Sequence, residues 1–290
     1  MNEDNVNYLQ NQLKFLGFGD KFNERLTELI KADKPEFTIR ENYPYKRPPT
    51  SPNEIHEKDI VSYELFFKKG TGSDMYFFNK YDASLVKELQ AQKEGVVNRV
   101  EMAEIKNTFY IEKGKGITAK EAYNLLDGRA VYKELTNKEG DTYNAWVKLN
   151  MDSRNEKNGN YKFSSYTDKY GFDVGKALDK LQSMEQPYIE KKEDILQSLK
   201  KGNVTSISVD RKEEGIIKFS LQANPEFHAI DVFDATGKKQ FIDRKNAQEV
   251  NDKPQNKIEE AKKEKVAETK KEKVTAVQKE TTTNKVRMKR

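Results

Sequence analysis

The chain contains no cysteine, and this absence excludes a disulfide framework, a thiol nucleophile and a cysteine-based zinc site. A sequence without cysteine fits a reducing compartment. Only two histidines are present, His56 and His228, and the motifs Gly-x-Ser-x-Gly, His-Glu-x-x-His and Asp-x-Asp-x-Asp-Gly do not occur. A serine triad and a histidine-based metal site are therefore not predicted, and we expect both histidines to lie at the surface.

Long apolar runs are also missing. No stretch approaches the roughly 18 consecutive apolar residues of a membrane-spanning helix. The first residues, Met1–Asn5, are polar and acidic and lack the basic and apolar parts of a signal peptide. Together with equal shares of apolar and charged residues, 35% each, these features predict a soluble, cytoplasmic protein with no membrane partner.

The basic excess of the chain lies at its C-terminal end. Residues 245–290 carry 14 Lys and Arg against 8 Asp and Glu, a net charge of +6, whereas residues 1–244 hold 39 basic and 40 acidic residues. No aromatic residue follows Phe241. We therefore predict a disordered basic tail at 245–290, which is either a solubilising segment or a salt-sensitive arm for nucleic acid. Its candidate nucleic-acid-binding residues are Lys285, Arg287, Lys289 and Arg290.

Aromatic residues are plentiful before the tail, with 15 Phe and 14 Tyr, so a core is available. Apolar residues at helical spacing predict a helix over 4–16, and Asp20 is the predicted cap of a second helix that completes a helical hairpin. Strands are predicted at 60–67 and 75–78. The intervening segment 43–52 holds four prolines and predicts an extended loop.

Residues 82–106 are ambiguous between a helix and a partly mobile connection. Further along, Thr118 and Glu121 have the spacing of a capping box, and Gly128 is the predicted end of that helix. The remaining predicted elements are a hairpin over 130–149, a polar loop over 151–160, a helix capped by Asp173, a helix over 190–200 and a β meander over 204–233.

These elements mix without regular β-α-β alternation, so the predicted class is α+β. The predicted architecture has an N-terminal helical hairpin, mostly antiparallel strands with interspersed helices, a C-terminal β meander and the disordered charged tail. The predicted domains are 1–106, 107–244 and 245–290. Whether the first two share one core is left open.

Two segments resemble ligand sites weakly. Gly114-Lys115-Gly116-Ile117-Thr118-Ala119 fits a dinucleotide fingerprint, but its helix is short and no second β-α-β unit follows, so a glycine-rich turn is favoured. Residues 152–159 only distantly resemble a calcium loop, because the alternating oxygen ligands are missing. We therefore predict no metal and no cofactor. Pairs of carboxylates are too numerous, at 48 acidic residues, to single one out.

Two stretches interleave aromatic and basic residues, at 76–81 and 161–170. Single-strand nucleic-acid binders use such faces for stacking. Ordinary strand alternation with the aromatic rings directed inward explains the same pattern, and core packing is the favoured interpretation.

Several segments taken together resemble a known group of proteins. They are Thr118–Leu135, Tyr143–Leu149, Gly159–Tyr161, Tyr170–Asp173 and Ala223–Phe227, with Leu16–Gly19 and Asp74–Asn79. Over most of positions 1–240 the chain is similar to domain-of-unknown-function proteins carried on conjugative and other mobile elements of Bacteroidota. The resemblance implies a genetic neighbourhood and brings no catalytic residue with it.

The leading hypothesis is a non-enzymatic accessory protein of a mobile element. It would bind a protein partner or nucleic acid, with the tail as an electrostatic arm. One alternative is an inhibitor of a host defence or housekeeping protein. Another is an enzyme with a carboxylate-only site, which a pocket of clustered carboxylates with shifted pKa values would favour.

Overall fold

The computed structural model describes residues 2–48, 58–90, 100–112, 115–137, 139–185, 191–211 and 215–240. Within these ranges the chain forms five helices and twelve strands in three antiparallel sheets, which confirms the α+β class. The helices are α1 (Glu3–Phe15), α2 (Asn23–Lys31), α3 (Ala119–Leu126), α4 (Val174–Glu185) and α5 (Lys192–Lys200).

The strands form a five-stranded sheet, order β1-β2-β3-β4-β5, a three-stranded sheet, β6-β7-β8, and a four-stranded sheet, β12-β11-β10-β9. Their bounds are β1 (Glu36–Lys46), β2 (Lys58–Lys69), β3 (Tyr76–Gln90), β4 (Val100–Glu112), β5 (Lys115–Gly116), β6 (Val131–Thr136), β7 (Thr142–Arg154), β8 (Tyr161–Thr167), β9 (Thr205–Arg211), β10 (Gly215–Asn224), β11 (Ala229–Phe233) and β12 (Lys239–Gln240).

The N-terminal helical hairpin forms as predicted, but its second helix begins later than expected. Asp20 does not cap α2: Phe22 occupies the N-cap position with no side-chain capping bond, and the Asp20 carboxylate lies 3.4 Å from Lys14 Nζ. Phe18 and Phe22 are both buried in the core, which holds the residues between them in a turn. Burial of two aromatic rings outweighs the local capping preference of one aspartate.

The proline-rich segment is partly strand, which corrects the loop predicted there. Strand β1 runs through Pro44 to Lys46 and pairs with β2. Because β1 is the edge of its sheet, a residue without an N–H group costs no ladder hydrogen bond on the open side. Residues 49–52 of the predicted loop lie outside the described residues.

The ambiguous segment 82–106 is also strand wherever the structure describes it. Strand β3 continues to Gln90, and β4 begins at Val100 and pairs with it in antiparallel register. Buried Tyr81, Ala83 and Leu85 alternate with residues on the other face of the sheet, a period of two that excludes a helix. Residues 91–99 lie outside the described residues.

Helix α3 packs against this sheet and begins as predicted. The Thr118 hydroxyl accepts a hydrogen bond from the Glu121 amide, and the Glu121 carboxylate accepts one from the Thr118 amide at 2.9 Å. Two buried tyrosine hydroxyls fix the start of the helix: Tyr63 donates to the carbonyl of Ala119 and Tyr81 to that of Ile117, each at 2.6 Å. Burial raises the pKa of both phenols, so both remain donors.

One buried cluster draws on both predicted α+β regions. It extends from Val6 in α1 to Leu149 in β7, and the predicted boundary between residues 106 and 107 falls inside β4. The described residues up to Gln240 form one compact unit.

The C-terminal elements follow the predictions closely. The hairpin β6–β7 is confirmed. The meander predicted over 204–233 forms as β9 to β11, with Phe227 in a 3-10 turn before β11, and β12 adds a fourth strand that was not predicted. The Asp173 carboxylate caps α4 by accepting hydrogen bonds from the amides of Gly175 and Lys176, at 2.9 and 3.1 Å. The loop predicted at 151–160 is shorter than expected, because β7 continues to Arg154. Among the helices described here, none is long and apolar enough to cross a membrane.

Candidate functional site

The predicted nucleic-acid residues of the tail, Lys285, Arg287, Lys289 and Arg290, lie outside the described residues, and so does His56. The structure does describe His228. It follows the 3-10 turn Pro225–Phe227 with a φ of +50°, and its ring stacks on Tyr170 with 4.4 Å between centroids. His228 therefore packs against an aromatic ring.

The glycine-rich turn before α3 feeds a capped helix, as the favoured interpretation predicted. Gly116 sits in β5, which pairs antiparallel with β4. At the start of α3 the Ala119 amide donates to the carbonyl of Leu16 at 2.8 Å, and the Glu121 amide donates to the Thr118 hydroxyl. A dinucleotide pyrophosphate would need such amides, and here they already have acceptors.

The segment that distantly resembles a calcium loop is a tight turn. The Gly159 amide donates to the carbonyl of Asn155 at 2.8 Å. Across the described part of the chain, no group of three or more histidine, aspartate or glutamate side chains is arranged to hold a metal ion.

The two aromatic stretches differ. Tyr76, Phe78 and Tyr81 are buried as core packing predicts, although Phe77 is exposed. In the second stretch Phe163 and Tyr170 are 46% and 43% exposed, so core packing was the wrong expectation for them. Strand β8 is an edge strand of its sheet, with fewer partners to cover it.

A cleft of about 420 Å³ lies near the start of α4 and is here called the aromatic cleft. This volume falls within the range of small-molecule and peptide side-chain pockets. The residues lining the aromatic cleft are Tyr132, Trp146, Asp168, Gly171, Phe172, Asp173, Val174, Lys176 and Lys200.

Three rings build the apolar wall of the aromatic cleft. Trp146 is 2% exposed, and its ring centroid lies 5.3 Å from that of Tyr132 and 5.4 Å from that of Phe172. Gly171, with a φ of +88°, turns the chain between a 3-10 turn and α4, and this turn brings Phe172 back against the tryptophan. Rings held by mutual packing form a rigid wall that loses little entropy when a ligand binds.

The two aspartates of the aromatic cleft already accept hydrogen bonds. Asp168 Oδ1 accepts from the Tyr132 hydroxyl at 2.9 Å, and Asp173 caps α4. Burial, followed by the hydrogen bond to Asp168, raises the pKa of Tyr132 to about 12. The phenol therefore stays protonated at neutral pH and continues to donate to Asp168.

The two lysines of the aromatic cleft can pair with an anionic group of a ligand. Lys200 Nζ lies 5.6 Å from the centroid of the Tyr132 ring, and Lys176 is exposed in the first turn of α4. Within the described residues, neither ammonium group has a carboxylate within 4 Å. An apolar wall beside two unpaired cations favours a ligand that joins an apolar body to an anionic group.

Sequence reasoning missed this site because its residues come from separate elements. Tyr132 lies in β6, Trp146 in β7, Phe172 precedes α4 and Lys200 ends α5. The one usable sequence signal was the single tryptophan of the chain, Trp146.

Comparison of the chain with protein-family models, with curated proteins and with solved structures finds no match in any of the three.

Proposed function

We propose that this protein is a non-enzymatic binding module whose aromatic cleft holds an acidic segment of a partner protein. The observation that carries the proposal is the pairing of a rigid aromatic wall with two lysines that have no carboxylate partner among the described residues. The preferred segment carries a large apolar or aromatic side chain between Asp or Glu residues.

The chemistry of the aromatic cleft supports this ligand class. An aromatic side chain seated in the aromatic cleft would be the central anchor on which protein interfaces depend. Acidic residues flanking that anchor would meet Lys176 and Lys200, which also speed the approach of an acidic partner. A basic segment would bring like charge to the two ammonium groups, so we expect it to bind more weakly than an acidic one, although Asp168 and Asp173 also line the aromatic cleft.

Trp146 provides the assay, because its fluorescence is the only tryptophan signal of the chain. The full-length protein is titrated with two synthetic peptides of equal length, in which one phenylalanine is flanked by aspartates or by lysines. We expect the acidic peptide to shift the tryptophan emission saturably and the basic peptide to leave it unchanged. Equal responses to both peptides would contradict the proposed charge selection.

A matched pair of double variants locates the binding. Lys176→Glu/Lys200→Glu is expected to weaken the acidic peptide at least tenfold. The control, Lys34→Glu/Lys68→Glu, makes the same charge change at exposed lysines outside the aromatic cleft and should bind as the wild type does. If both double variants lose affinity equally, the effect is one of net charge and the aromatic cleft is not the site.

The cellular setting of this binding role is a further part of the proposal. The resemblance to proteins of mobile elements supports an accessory role on such an element. The net charge of +6 in residues 245–290 supports the tail as a second, electrostatic contact with nucleic acid. The two contacts are separable, since deletion of the tail leaves every residue of the aromatic cleft in place.

A further inference from the structure

Four basic side chains converge where the ends of β1, β2 and β3 meet α3. Two carboxylates lie among them, so the group has a formal charge of +2 when all six are ionised. We call this group the cation cluster. Its members are Arg47, Asp59, Lys87, Lys120, Asp127 and Arg129.

Both carboxylates of the cation cluster are already shared. Asp59 is 3% exposed and accepts from Arg47 Nε at 2.8 Å and from the Tyr123 hydroxyl at 2.9 Å. Asp127 pairs with Lys87 and also lies 2.9 Å from Arg129 Nη2. Both aspartates therefore already have basic partners within the cation cluster.

Among the basic side chains of the cation cluster, Lys120 forms no ion pair with a described carboxylate. No Asp or Glu oxygen of the described residues lies within 4 Å of its ammonium group. Its Nζ lies instead 4.4 Å from the ring centroid of Tyr123 and 4.7 Å from that of Tyr45, two rings stacked 4.6 Å apart. Burial, and then the positive charge of Arg129, lower the pKa of Lys120 to about 8.

Arg129 has hydrogen-bonding capacity that the described chain does not use. Its side chain is only 2% exposed, and its guanidinium lies over the Tyr123 ring at 4.9 Å. Nη2 is at ion-pair distance from Asp127, yet within the described chain neither Nε nor Nη2 has an acceptor in hydrogen-bond geometry. A buried guanidinium with unused N–H groups is costly unless an acceptor is supplied.

We propose that the cation cluster is a binding site for a phosphate-type oxyanion, with Lys120 as its principal ligand and the Arg129 guanidinium beside it. Arginine and lysine side chains are the usual partners of phosphate. The stacked tyrosine rings exclude water from one side of the ammonium group, which strengthens its attraction for an anion. This site is independent of the peptide proposed for the aromatic cleft.

The test uses inorganic phosphate and the full-length chain. Thermal unfolding midpoints are measured at pH 7 while phosphate replaces chloride at constant ionic strength. The wild type and Lys68→Met, a control at an exposed lysine, should show the same saturable rise in midpoint. Lys120→Met should need at least tenfold more phosphate for the same rise, and Lys120→Arg should restore the response because it keeps the charge.

A second readout needs no substitution. Acetic anhydride acetylates neutral amines, and mass spectrometry reports the extent of modification at each lysine. Phosphate is expected to slow acetylation of Lys120 at pH 8 by several-fold and to leave that of Lys115, whose side chain is 79% exposed, unchanged. The proposal is overturned if Lys120→Met responds to phosphate as the wild type does, or if phosphate slows both lysines equally.

Discussion

Replacing Gly202 by alanine tests the contact that joins α5 to the junction of α3 and β6. Gly202 follows the last turn of α5 with a φ of +76°. A Cβ atom placed there would lie 2.6 Å from the carbonyl oxygen of Ala130, 3.0 Å from Val131 Cγ2 and 3.2 Å from Asn124 Cβ. Because the nearest of these atoms belongs to the backbone, the whole junction has to move.

The magnitude follows from three contributions. A non-glycine residue in the left-handed region costs roughly 1–2 kcal/mol. Forcing a methyl group into packed surroundings adds about 1–3 kcal/mol. Loss of glycine's freedom in the unfolded chain offsets about 0.4–1 kcal/mol of this. We therefore expect Gly202→Ala to lower the free energy of unfolding by about 3 kcal/mol.

Gly128 supplies a matched control. It follows α3 in the same type of helix end, with a φ of +82°, and a Cβ atom added there would meet no other atom within 4 Å. Gly128→Ala should therefore lower the free energy of unfolding by only about 1 kcal/mol. This loss is the cost of the left-handed conformation minus the gain from a less flexible unfolded chain. Urea unfolding of both variants, followed by circular dichroism and by Trp146 fluorescence, measures the two losses side by side.

The difference in unfolding free energy between Gly202→Ala and Gly128→Ala tests the contact directly. If Gly202→Ala costs no more than Gly128→Ala, the Ala130 carbonyl does not lie against Gly202 and the described packing of α5 is refuted. The contact also depends on Asn124, whose side-chain amide donates to the carbonyl of Lys201 at 2.6 Å. A smaller loss in Gly202→Ala than in its control would refute the steric argument even more strongly.

Two further predictions concern the core and the tail. Leu126→Ala is expected to cost about 2–5 kcal/mol in urea unfolding because Leu126 is fully buried in the core, and a loss below about half a kcal/mol would place it at the surface. Deleting residues 245–290 is expected to abolish binding to DNA of arbitrary sequence at about 50 mM salt, measured by fluorescence anisotropy, and to leave the urea midpoint unchanged. Retained DNA affinity in the truncated chain would rule out the tail as the electrostatic arm.

Local signals in the sequence were sufficient for much of the fold. Thr118 and Glu121 cap α3, and Asp173 caps α4, because capping depends on residues two or three positions apart. The β meander was equally readable, since each strand of β9 to β11 pairs with its neighbour in the chain.

Other features depend on neighbours that are distant in the sequence. Pro44 lies in a strand because β1 is the edge of its sheet, and Asp20 does not cap α2 because Phe18 and Phe22 are drawn into the core. Tyr123 likewise stacks on Tyr45 of β1 and donates a hydrogen bond to Asp59 of β2, both far from it in the sequence.

The sequence by itself determined the α+β class, the capped starts of α3 and α4, and the confinement of the basic excess to residues 245–290. Those properties are set by local conformational preference and by composition. Only the tertiary structure decided where the chain offers sites. The aromatic cleft and the cation cluster each join side chains from separate strands and helices, and such a juxtaposition follows from packing, on which local preference carries no information.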